Sequence, residues 1–63
     1  MSTETKVERH VREGRARIAR QRKLIEELRH DGHRTEVARG LLQDFEAVQR
    51  ELEMHLDFLR TFN

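Results

Sequence analysis

Val7, Val11, Ile18, Ile25 and Leu28 mark one stripe through the first half of the chain, and Gly14 and Gln21 complete its alternating steps of four and three. In the second half Ala38, Leu41, Phe45, Val48, Leu52, His55, Leu59 and Phe62 alternate three and four in the same way. This is a heptad seam. A repeat of about 3.5 residues on a helix of about 3.6 predicts two long helices wound in a left-handed sense.

The pattern breaks at His30-Asp31-Gly32-His33-Arg34-Thr35. Gly32 suits the left-handed backbone that closes a helix, and Thr35 is placed to cap the next one. Glu36 follows in the first turn, where the helix dipole favours an anion. At the amino end Thr5-Lys6-Val7-Glu8 reads as a capping box, with Ser2 and Thr3 as alternative caps. The expected elements are helices over 6–31 and 36–61 joined by a turn at 32–35, each helix roughly 40 Å long. So short a connection makes the helices antiparallel neighbours. The fold class expected is all-α, a coiled-coil-like antiparallel helical hairpin forming one domain over residues 1–63.

Folding at the turn sets opposite one another residues whose numbers sum to about 66. Ile25 is then expected to meet Leu41, Ile18 to meet Val48, Gly14 to meet Leu52, and Val11 to meet His55. Gly14 either permits a close approach or is simply tolerated at some cost in helix propensity. Gln21 falls opposite Phe45, and a seam Gln or His can fix register at the expense of stability.

The second helix carries more large apolar residues than the first can cover. Leu42 and Leu56 lie beside the expected seam, opposite Arg22 and Glu8 rather than apolar partners. A contiguous apolar patch usually marks an interface. The expected interface is Leu42, Phe45, Leu52, Leu56 and Phe58, closed by a second hairpin to give a homodimeric four-helix bundle. Another protein docking through the second helix remains an open alternative partner.

Composition sharpens this picture. Of 63 residues, 40% are charged and 35% hydrophobic, with no Cys, Pro, Trp or Tyr. High charge and low hydrophobicity also describe disordered chains, but a sustained heptad register argues for helices. A domain this small buries only about 60% of its unfolded surface and usually needs a staple. Without cysteine no disulfide can serve, which leaves association. No apolar run approaches the roughly 20 residues that span a bilayer, and the basic, unbroken amino-terminal segment does not read as a secretory signal. A cytoplasmic protein with no membrane partner is the resulting expectation.

Residues 9–23 hold seven Arg or Lys against one Glu, a local charge of +6. Arg15, Arg20, Arg22 and Lys23 are the candidate phosphate contacts of a nucleic-acid-binding hairpin. Against that reading, no aromatic residue stands among them to stack on bases. The second helix is acidic, the whole chain carries only +1, and Arg17 is expected near Glu51 across the hairpin. An internally compensated surface explains the charges more simply.

His30 and His33 span the turn with only Asp31 nearby, fewer ligands than a zinc site normally needs. His55, expected in the seam, would be a core histidine whose protonation near pH 6 loosens the bundle. No cofactor, no metal and no catalytic residue is expected. There is no Gly-rich phosphate loop, no nucleophile motif and no Ser beyond Ser2. The expected function is therefore non-enzymatic: a self-associating structural or regulatory protein–protein interaction module, with nucleic-acid binding as the alternative.

From Glu13-Gly14-Arg15 through Ile18-Ala19-Arg20-Gln21, Leu24-Ile25 and Leu28, and on through Gly32-His33, Thr35, Ala38, Leu41-Leu42, Phe45-Glu46, His55 and Leu59, the chain resembles a group of short bacterial proteins of unknown function. The resemblance spans about residues 11–60. It implies a small standalone protein and no particular activity. By length and architecture alone the chain is also similar to the plasmid RNA-modulator Rop, a dimerising helical hairpin that binds paired RNA loops.

Overall fold

The computed structural model describes residues 3–62. Two helices, Lys6–His30 (α1) and Glu36–Thr61 (α2), pack side by side in opposite directions. The hairpin measures 49 × 24 × 12 Å. Neither helix is long and apolar enough to cross a membrane.

The amino end of α1 is closed by the capping box that the sequence announces. The Thr5 hydroxyl accepts from the Glu8 amide at 3.1 Å, and the Glu8 carboxylate accepts from the Thr5 amide at 3.0 Å. Two amides that lack helical partners are thereby satisfied. At the other end the Gly32 amide donates to the Arg29 carbonyl and the His33 amide to the Leu28 carbonyl. This is a Schellman closure, and it requires Gly32 at φ +76°.

Thr35 departs from expectation. It stands at the start of α2, but its backbone is already helical (φ −116°, ψ 0°) and its hydroxyl caps nothing. A capping side chain needs the extended backbone that Thr5 has.

Along α1 the inward stripe is the expected one. Val11, Gly14 and Gln21 are buried, and Val7, Ile18, Ile25 and Leu28 are half-buried. Along α2 the stripe is rotated by about 50° from the expected one. Ala38, Leu42, Phe45, Gln49, Leu52 and Leu56 turn inward, while Leu41, Val48, His55, Leu59 and Phe62 face out. His55 is therefore not a core histidine, and Val11 does not meet it.

Two polar contacts select the rotated register. The buried Gln49 amide donates to the Val11 carbonyl at 2.9 Å, and the Gln21 amide donates across the seam in the other direction to the Ala38 carbonyl at 2.8 Å. Gly14 makes room for the first of these. A Cβ at residue 14 would collide with the Gln49 carboxamide. Gly14 is thus a close-approach glycine, with Gln49 rather than Leu52 against it. No buried side-chain nitrogen or oxygen among the described residues lacks a partner.

The apolar interior is thin. Only Val11 and Leu56, at 3% and 8% exposure, are fully buried hydrophobic residues among those described. Each contributes about 1.5–3 kcal/mol, small beside the ordering cost of two long helices.

Candidate interaction surface

Rotation of α2 gives the hairpin two unlike faces. On one, charged side chains repeat every seven residues along both helices and meet across the seam. Glu8 pairs with Arg60 at 3.6 Å, Arg15 with Glu53 at 2.6 Å, and Arg22 with Glu46 at 3.2 Å. The residue numbers of each pair sum to 68, the constant offset of an antiparallel register. Arg12 extends this ladder by gripping Glu4 through two hydrogen bonds of 2.9 and 3.1 Å. These pairs are exposed and individually weak. Their repetition fixes register more than it adds stability.

The ladder perturbs its members as expected. The Arg12 guanidinium holds the Glu4 carboxyl below its ordinary 4.5, and Glu4 in turn raises Arg12. Glu8 is also held down, first by the Thr5 backbone amide, then by the Thr5 hydroxyl and Arg60. A hollow of about 500 Å³ lies at this end, lined by Arg12, Arg15 and Arg60. Each of those cations already has a carboxylate partner, so the hollow offers an anion no unbalanced positive charge.

The opposite face has no such ladder. Leu24 from α1 and Leu41, Val48, Leu59 and Phe62 from α2 are exposed there, Val48 by 53% and Phe62 by 72%. Phe58, also exposed, stacks on Phe62 with ring centroids 4.7 Å apart. Arg17 does not reach Glu51 in an ion pair; its guanidinium lies 5.6 Å from the centre of the Phe45 ring. That placement covers part of the one aromatic ring inside the seam.

The residues singled out from sequence divide as follows. Leu56 is buried and Leu42, Phe45 and Leu52 are half-buried inside the hairpin, whereas Phe58 is exposed. The first four already serve the contact between α1 and α2. Exposed apolar area lies instead on Leu41, Val48 and Leu59, which the heptad reading assigned to the seam. The signal that could have exchanged them is the charge pattern. Only with Leu42 and Leu56 inward do Glu46, Glu53 and Arg60 come across from Arg22, Arg15 and Glu8.

Of the candidate phosphate contacts, Arg15 and Arg22 are committed to Glu53 and Glu46. Arg20 and Lys23 are exposed and make no ion pair among the described residues. The four do not converge on one site. His30 and Asp31 border a shallow surface hollow with Glu26 and Glu27. Among the described residues no group of three or more His, Cys, Asp or Glu side chains is arranged to hold a metal ion.

No family model, curated protein or solved structure matches this chain.

Proposed function

We propose that the chain is a non-enzymatic, self-associating helical protein whose hairpin completes its core against a second copy, forming a dimeric four-helix bundle that acts in structural or regulatory protein–protein interaction. One observation carries this reading. The hairpin buries two apolar side chains fully and leaves eight large ones exposed among its described residues. A chain of 63 residues with no cysteine has few other means of stabilising itself. Packing the exposed residues on a like surface removes them from water and supplies the missing interior.

Nucleic-acid binding has less support. Two of its four candidate cations are occupied by carboxylates, and the remaining pair, Arg20 and Lys23, is a small footprint for phosphate binding.

The test is the native mass of the full chain by light scattering at physiological salt, with absorbance at 260 nm followed on the same peak. Twice 7.6 kDa with negligible absorbance supports the reading. A mass of one chain overturns it. Strong absorbance moving with the protein favours nucleic-acid binding instead, and is easily detected because the chain has neither Trp nor Tyr.

A further inference from the structure

We propose that the second copy docks on the apolar face opposite the ion-pair ladder, with both turns at the same end of the dimer, so that α2 of each copy lies over α1 of the other. The inference rests on the self-association reading and adds a face and an arrangement to it.

The face follows from the asymmetry of the hairpin. On the ladder side, a partner would have to break or bury Arg15–Glu53 and Arg22–Glu46, and stripping paired charges of water is costly. On the other side, Leu24, Leu41, Val48, Phe58, Leu59 and Phe62 together expose on the order of 500 Å², of which Phe58 and Phe62, at roughly 150–250 Å² per aromatic side chain, supply about half. That is near the upper end of what a monomer leaves uncovered. With its polar rim the surface approaches the roughly 800 Å² per partner of an ordinary dimer.

The charges around this face point to a second copy and select its orientation. On α1 they are basic at mid-length, with Arg17 and Arg20. On α2 they are acidic at the same level, with Asp44 and Glu51. A two-fold axis across the hairpin would put the turns at opposite ends and set each helix on its own counterpart. Arg17 and Arg20 would then meet the partner's identical cations, and Asp44 and Glu51 the partner's identical anions. A two-fold axis along the hairpin instead sets the basic stretch of one copy over the acidic stretch of the other, twice by symmetry. Glu13 then approaches the level of Glu51, but Arg17 stands one turn from it on the same helix and offsets it. The pattern is self-complementary in one orientation only.

Because the chain contains no cysteine, Arg34→Cys in the turn supplies one spin-label site per copy. Labelled full-chain protein is first weighed by light scattering and then measured by pulsed electron resonance. Turns at the same end give a label separation of roughly 10–20 Å, set by one helix-to-helix spacing and the labels themselves. A separation of roughly 40 Å, one helix length, overturns the arrangement while leaving self-association intact. Val48→Lys tests the face: its mass should fall to that of one chain, whereas Gln43→Lys on the other side of α2 should leave the dimer unchanged. A Val48→Lys dimer overturns the face. If Val48→Lys fails to fold, the charge pairs answer instead: Arg17→Glu with Arg20→Glu should weaken dimerisation at least tenfold, and adding Asp44→Arg with Glu51→Arg should restore it. No weakening, or no restoration, overturns the orientation. A natural chain of single mass removes both readings at once.

Discussion

Gln49 occupies the space that any side chain at Gly14 would need, and from there its amide donates to the Val11 carbonyl at 2.9 Å. A helix surrenders about 1 kcal/mol of propensity to hold a glycine mid-length. Here that cost allows a polar side chain to cross the seam and find a backbone acceptor. Gln21 makes the reciprocal crossing to Ala38. Two such bonds tie the helices in a single register, because a slide of either helix would leave a buried amide without its acceptor.

Gly14→Ala should therefore destabilise the protein by about 1 kcal/mol, although alanine is the better helix former. Displacing Gln49 forfeits a buried hydrogen bond worth about 1–3 kcal/mol, and the gain in propensity offsets only part of that. In Gly14→Ala with Gln49→Ala the collision disappears, so the double variant should be less destabilised than the two single effects added together. Chemical unfolding of the four proteins measures this. Strict additivity would mean that the two residues do not communicate.

The other glycines should respond differently. Nothing lies within 4 Å of a Cβ built at Gly40, which stands inside α2, so Gly40→Ala should stabilise by about 0.5–1 kcal/mol. Gly32 also has open space, but its φ of +76° is unfavourable for alanine. Gly32→Ala should cost about 1–2 kcal/mol. A shared sign for these two changes, read from unfolding midpoints, would contradict the Schellman closure of α1.

The two threonines at the helix starts are likewise distinguishable. Thr5→Ala removes a working cap and should cost about 1 kcal/mol. At Thr35, whose hydroxyl caps nothing, the same change should cost less than half of that. Equal losses would show that Thr35 caps α2 after all.

Much of the hairpin is legible without coordinates, and its limits are instructive. The turn, the Thr5 cap and the inward stripe of α1 follow from residue types whose local preferences are strong. The stripe of α2 does not, because it offers leucines on both sides of Phe45 and Leu52. Leu41 and Leu42 compete for the same inward place, as do His55 and Leu56. Hydrophobicity alone leaves Gln49 outside and takes Val48 in. What decides is a relation between helices: the Gly14 gap that receives Gln49, and the heptad match of Glu46, Glu53 and Arg60 with Arg22, Arg15 and Glu8. The surface outside the seam changes with that choice, and the candidate interface moves with it.

Acid should loosen the amino end of the hairpin. The Glu4 carboxyl is held below 4.5 mainly by Arg12, and that of Glu8 mainly by the Thr5 amide. A carboxyl with a depressed value in the folded chain contributes stability that is present above about 4.5 and lost as pH falls through the folded value. These two groups should therefore leave stability flat between pH 7 and 5 and erode it below about 4.5. Glu4→Gln with Glu8→Gln should make that acid limb shallower. An equally steep fall in the variant would assign the acid sensitivity to other groups.

The dependence of thermal unfolding on chain concentration, followed by helical circular dichroism, tests most directly whether the hairpin relies on a second copy for its interior. Folding coupled to association obeys mass action, so raising the concentration about a hundredfold should lift the midpoint by several degrees. A midpoint that does not move over that range would mean that the hairpin stands on its own seam alone, and would contradict the account.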